Sequence, residues 1–81
     1  MFEQIREVVA KHGGVTVDPA SLEDSTDLYE AGMTSFASVD LMLGLEEAFN
    51  IEFPDALLTR QTFASISSIA EALSKLIARA A

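Results

Sequence analysis

The chain has no cysteine and no tryptophan, two prolines, four glycines and five lysine or arginine residues among 81. Each shortage closes a route. Without cysteine there is neither a disulfide framework nor a thiolate metal cage, so a domain near the lower size limit for unaided folding must rely on packing. The missing thiols say little about compartment, although small secreted domains more often carry disulfides. No run approaches the roughly 18 apolar residues of a membrane span. The start, MFEQIREVVAK, has an acid at Glu3 and no long apolar stretch, unlike a secretory signal. These features lead us to expect a cytoplasmic protein. With 49% apolar residues the chain has the material for one compact core, which excludes a disordered polymer. One domain over residues 1–81 is expected.

The scarcity of bases is uneven. Arg6 and Lys11 lie in the first segment, and the next base is Arg60; between His12 and Arg60 there are ten acids, within a net charge of -8. Nucleic acids and anionic membranes are recognised with Lys and Arg, so both are disfavoured as partners. A partner docking on the middle of the chain should present a basic patch. A surface kept acidic only for solubility is the competing explanation.

What is present is helical periodicity. Phe2, Ile5, Val8, Val9 and His12 recur at helix spacing up to Gly13-Gly14. Residues 15 to 31 hold no sustained period; Asp18-Pro19 suits a cap followed by proline in a short turn, and Leu22, Leu28 and Tyr29 are expected to pin this connection to the core. Loops of such length in small domains are often functional. Gly32 offers a sharp bend into a second helix over about 35 to 49. Beyond it, Asp55 can cap a brief helical turn from Ala56 to Arg60. A last helix from about Ser65 to Arg79 carries Ile66, Ile69, Ala70, Leu73, Leu76 and Ile77 on one side. The expected architecture is all-α, a small bundle of three main helices plus one short helix.

The second helix, in EAGMTSFASVDLMLGLEEAF, is apolar on two sides. At about 100° per residue, Leu41, Met42, Leu45 and Phe49 fall together, with Ala48 beside them, as a core stripe. Phe36, Val39 and Leu43 fall on the opposite side near Ser35, rimmed by Asp40, Glu46 and Glu47. An apolar patch rimmed by charge is the usual form of a partner site. The alternative is that the 15 to 31 loop covers this second stripe.

Two hydroxyl residues, Thr34 and Ser35, stand where a helix start needs one cap. If Thr34 caps, Ser35 lies in the first turn with its hydroxyl outward; no Glu or Gln three residues on assigns the cap through a capping box. Ser35 is not a nucleophile unaided, and the only histidine, His12, sits at the end of another helix, where the dipole favours it. A helix start does favour a phosphate, through its free N–H groups.

Gly32-Met33-Thr34-Ser35-Phe36, with Val39, Leu41, Leu45-Glu46-Glu47, Phe49 and Ile51-x-Phe53-Pro54, resembles the acyl carrier protein family over nearly the whole chain. The resemblance implies that Ser35, in the place of the serine of the family's Asp-Ser-Leu motif, carries 4'-phosphopantetheine. It implies a docking surface of Thr34, Phe36, Val39, Asp40, Leu43, Glu46 and Glu47. Thr34 and Phe36 replace the usual Asp and Leu, so the chain looks like a specialised stand-alone member. The implied function is a monomeric, non-catalytic carrier that holds an acyl or aminoacyl cargo as a thioester. A phosphopantetheinyl transferase would attach the arm, whose thiol has a reference pKa of about 8.5. A cargo-activating ligase or acyltransferase with a basic docking patch would load it, and a downstream synthase or transferase would receive the cargo.

Three other readings compete with this one. An unmodified acidic helical adaptor would use the same exposed stripe. A cation binder fails on spacing, because Asp24, Thr26 and Leu28 cannot supply the alternating oxygens of an EF-hand loop. No metal site is expected. An enzyme lacks any assembled acid–base or nucleophile–base pair.

Overall fold

The computed structural model describes residues 1–80. Three helices, α1 (Phe2–His12), α2 (Ser35–Phe49) and α3 (Ile66–Ala80), are joined by segments that contain short 3₁₀ turns at Pro19–Ser21 and Asp55–Leu57. This is the expected all-α bundle.

Helix α1 has Glu3 in its first turn and Lys11 and His12 in its last, which complements the helix dipole. Ile5, Val8 and Val9 form its buried stripe, and α1 packs against both α2 and α3. Phe2 shares the spacing but is exposed. Side chains lean toward a helix's N-terminus, so one at the first position leans off the end of the bundle.

The long connection is tied down rather than structureless. Asp18 accepts the Ala20 N–H at 3.0 Å and opens the first 3₁₀ turn with Pro19 behind it, as expected. Leu22 and Leu28 are buried, and Tyr29 packs against the core half-exposed. The sequence did not show what holds the loop's backbone. The Arg6 guanidinium donates to the carbonyls of Pro19 (2.9 Å) and Leu22 (2.6 Å) and pairs with Asp24 at 3.0 Å. Farther along, the Leu28 N–H donates to the Ala64 carbonyl at 2.7 Å, and the Ser67 N–H to that of Asp24 at 2.9 Å. The loop is thereby fixed to α1 on one side and to the start of α3 on the other. Gly32 turns the chain into α2 with φ +114, and a Cβ there would lie 3.0 Å or less from Thr16 atoms. Both the angle and the crowding require glycine.

Helix α2 spans the expected residues. It ends at Asn50, which adopts left-handed φ and ψ of 51 and 52 and donates its N–H to the Glu46 carbonyl. Leu41 and Leu45 are fully buried, and Met42 and Phe49 partly so. Ala48, expected beside them, is exposed, because it lies near the end of the helix and its methyl is too short to reach the core. At Gly44 α1 passes so close that a Cβ would stand 2.6 Å from the His12 ring and 3.0 Å from Val8.

Asp55 does not cap the second turn. Pro54 takes the cap position, and the turn ends at Leu57 instead of reaching Arg60. Asp55 becomes the first residue of the turn, and its carboxylate accepts no cap bond. Phe53 and Phe63, both buried, meet edge to face with centroids 5.2 Å apart, closing the core between α2 and α3. Ser65 caps α3 by accepting the Ser68 N–H at 3.1 Å. From there Ile66, Ile69, Ala70 and Leu73 point inward and Leu76 is partly buried, whereas Ile77 is exposed at the far end.

Candidate functional site

The start of α2 settles which hydroxyl caps. Thr34 has extended backbone angles, and its Oγ1 accepts the Ala37 N–H at 3.0 Å. Ser35 is the first helical residue, and it is exposed. Its carbonyl accepts from the Ser38 hydroxyl at 2.6 Å, but among the described residues no hydrogen bond engages its own hydroxyl. The first backbone N–H groups of a helix have no partner inside it and point outward with the positive end of the dipole. Thr34 takes one of them, which leaves the N–H groups beside Ser35 for a ligand.

The second stripe of α2 is uncovered. Phe36 is 91% exposed, and Val39 and Leu43 are each 54% exposed. The 15 to 31 loop, held by Arg6 and Ala64, does not reach them. Of the acids expected on the rim, Asp40 and Glu47 are exposed and Glu46 is half-buried, and Asp40 and Glu46 also have internal bonds that periodicity could not show. Asp40 Oδ2 lies 2.9 Å from Nδ1 of His12, linking α1 to α2. Glu46 Oε2 accepts the Phe53 N–H at 2.9 Å and holds the chain that leaves α2.

Ser35 also stands at the edge of an open groove of about 380 Å³. Val39, Met42 and Phe63 give it apolar walls, and Tyr29, Thr59 and Arg60 a polar side. Arg60 lies over the Tyr29 ring, its guanidinium carbon 3.8 Å from the centroid. The sequence offered no signal for this pair, because its members are far apart along the chain and belong to no helical period. Among the described residues no three His, Asp or Glu side chains come together to hold a metal ion.

A family model described as the phosphopantetheine attachment site matches residues 3–73. The chain belongs to this family. It is 56% identical over 69 residues to an aminoacyl carrier protein of Agrobacterium fabrum, covering 85% of this chain and 83% of that protein. It is also similar, at 51% identity and a TM-score of 0.89, to a chain in the crystal structure of an engineered Bradyrhizobium japonicum glycine:[carrier protein] ligase complexed with a carrier protein from Agrobacterium tumefaciens and ATP; the match covers 91% of this chain and 96% of that one. A chain in the crystal structure of the B. japonicum ligase complexed with glycylated carrier protein matches at 25% identity and a TM-score of 0.68, over 86% of this chain and 97% of that one. The carrier thus holds acyl or aminoacyl cargo on a 4'-phosphopantetheine arm for partner enzymes. The structure fits such an arm, with one uncommitted hydroxyl at a helix start, free backbone donors beside it and a groove leading away. No helix is long and apolar enough to cross a membrane among the described residues.

Proposed function

We propose that Ser35 is the attachment residue and that the cargo is a small amino acid. The supporting observation is the division of labour at the start of α2: Thr34 closes the helix, while Ser35 is exposed with its hydroxyl unengaged. In attachment the transferase takes the Ser35 hydroxyl proton, the Oγ attacks the pantetheine-side phosphorus of coenzyme A, the pyrophosphate bond breaks and adenosine 3',5'-bisphosphate leaves. The phosphodiester that remains has the N–H groups of the first turn close to its negative charge. Once bound, the arm supplies a thiol on a flexible tether, the group that a thioester cargo requires. Among the described residues no nucleophile–base pair is assembled at Ser35, and in this reading loading falls to partners. The amino-acid assignment rests on the relatives, one named an aminoacyl carrier protein and others solved with a glycine:[carrier protein] ligase.

Phe36, Val39 and Leu43 form the docking stripe in this reading, with Thr34 at its edge and Asp40, Glu46 and Glu47 as the acidic rim that a basic ligase or transferase patch would meet. Residues 1–81 act as one carrier domain, a cytoplasmic monomer, where coenzyme A and an ATP-using ligase are at hand. Incubation with coenzyme A and a broad-specificity phosphopantetheinyl transferase, followed by intact mass measurement, tests the assignment. The wild type should gain one arm and Ser35→Ala none. Modification of Ser35→Ala, for instance at Ser38, would overturn it. Loading of the holo form by a glycine-activating ligase then tests the cargo.

A further inference from the structure

We propose that Arg60, laid flat on the Tyr29 ring, is the positioning residue for the phosphodiester that joins the arm to this carrier. The inference rests on Ser35 being the attachment residue and concerns what the rest of the groove does once it is. Arg60 is the only Lys or Arg between Lys11 and Lys75. In a stretch so rich in acids, an arginine would be expected to pair with a carboxylate. Among the described residues it pairs with none; the ion pairs belong to Arg6 and Lys75, and Asp40 lies against His12. Arg60 instead lines the same groove as Ser35, held 3.8 Å from the Tyr29 centroid, and the Tyr29 hydroxyl donates to the Arg60 carbonyl at 3.4 Å.

Stacking has a specific chemical result. The aromatic ring occupies the face of the guanidinium, whereas its five N–H donors lie in the plane and remain available at the edge. A planar fork with a fixed orientation matches the paired oxygens of a phosphate. The arm's phosphodiester carries one negative charge and is bonded to Ser35 Oγ, so it is formed at the mouth of the groove that Arg60 lines. Ser35, at the start of α2, and Arg60 line the same groove, so the first-turn N–H groups and the Arg60 edge can both serve a phosphate formed there. The arm would then leave Ser35 along the groove toward Met42 and Phe63, not freely into solvent.

The test uses apo and holo forms of the whole chain as wild type, Arg60→Gln and Arg60→Lys. Three readouts are followed: the ³¹P resonance of the phosphodiester, hydrogen exchange at the Arg60 Nε–H, and the change in Tm on attachment. In the wild type, attachment should slow Nε–H exchange severalfold and raise the Tm in a salt-sensitive manner. Arg60→Gln should displace the ³¹P resonance by more than its linewidth and remove most of the Tm gain. Arg60→Lys should retain part of the gain but give a different ³¹P resonance. An arginine that serves only the fold would lower the Tm of apo and holo forms equally. Equal Tm gains with an unmoved ³¹P signal in all three proteins would refute the proposal while leaving Ser35 as the attachment site. A wild type that never takes up the arm, as judged by intact mass, would overturn the Ser35 reading and this inference with it.

Discussion

Replacing Thr34 by alanine removes the oxygen that accepts the Ala37 N–H and should cost about 1 kcal/mol of stability. Ser35→Ala, one residue on, should stay within about 0.5 kcal/mol of wild type, because no bond within the described chain is lost. Denaturant unfolding of the two variants side by side checks this; a larger loss at Ser35 would mean that the cap bond belongs to Ser35. Gly32→Ala should be more damaging than either, at about 1–3 kcal/mol, since alanine would be forced to φ +114 against Thr16. The pair of hydroxyls was legible in the sequence because caps obey local spacing. The clasp of Arg6 on the loop, the His12–Asp40 pair and the turn of Glu46 toward Phe53 were not. Apart from the Glu46 bond they join residues at least 13 positions apart, and in every case the choice of partner depends on how the chain has already folded.

Helix α2 offers the clearest comparison at the level of one element, because the same change on its two faces should have opposite consequences. Leu45→Ala empties a fully buried site and should cost about 2–5 kcal/mol. Leu43→Ala should remain within about 0.5 kcal/mol, yet lower the rate of arm attachment or cargo loading. A denaturant melt and a loading assay on both variants separate the faces; equal destabilisation would show that Leu43 supports the fold after all. The start of α2 could be read in advance because Gly32 and the pair of hydroxyls are local signals, whereas the left-handed Asn50 that ends it was seen only in the structure. Its double apolar surface was also readable, whereas its exposure was not, since the periodicity of a helix does not say which neighbour covers which side. The turn after Pro54 was misread for a related reason: two residues competed for one cap position, and proline's fixed φ decided it.

The molecule as a whole carries a net charge of -8, and folding brings together acids that an expanded chain keeps apart. Added salt, with a screening length of about 8 Å at physiological strength, should therefore raise the Tm. Magnesium or calcium should do so at lower concentration. A Tm that is flat or falls as salt is added would show that this crowding carries no net strain. The fold class followed from composition and period alone, but the order of packing did not, since nothing in the chain announces that α1 passes close against Gly44 of α2. The narrowness of the bare stripe on α2 has a bearing on time. On the proposed docking surface, three apolar side chains with a rim of acids fall well short of the roughly 800 Å² per partner of a standard interface, so a partner held there alone would form one of the smaller, short-lived kind of complexes. Because α2 is already fastened at both ends and along its inner face, little ordering is left for the encounter, and a weak contact can still be a specific one. In this reading the carrier is suited to rapid release, and its handover between partners would be set by how soon each complex dissociates.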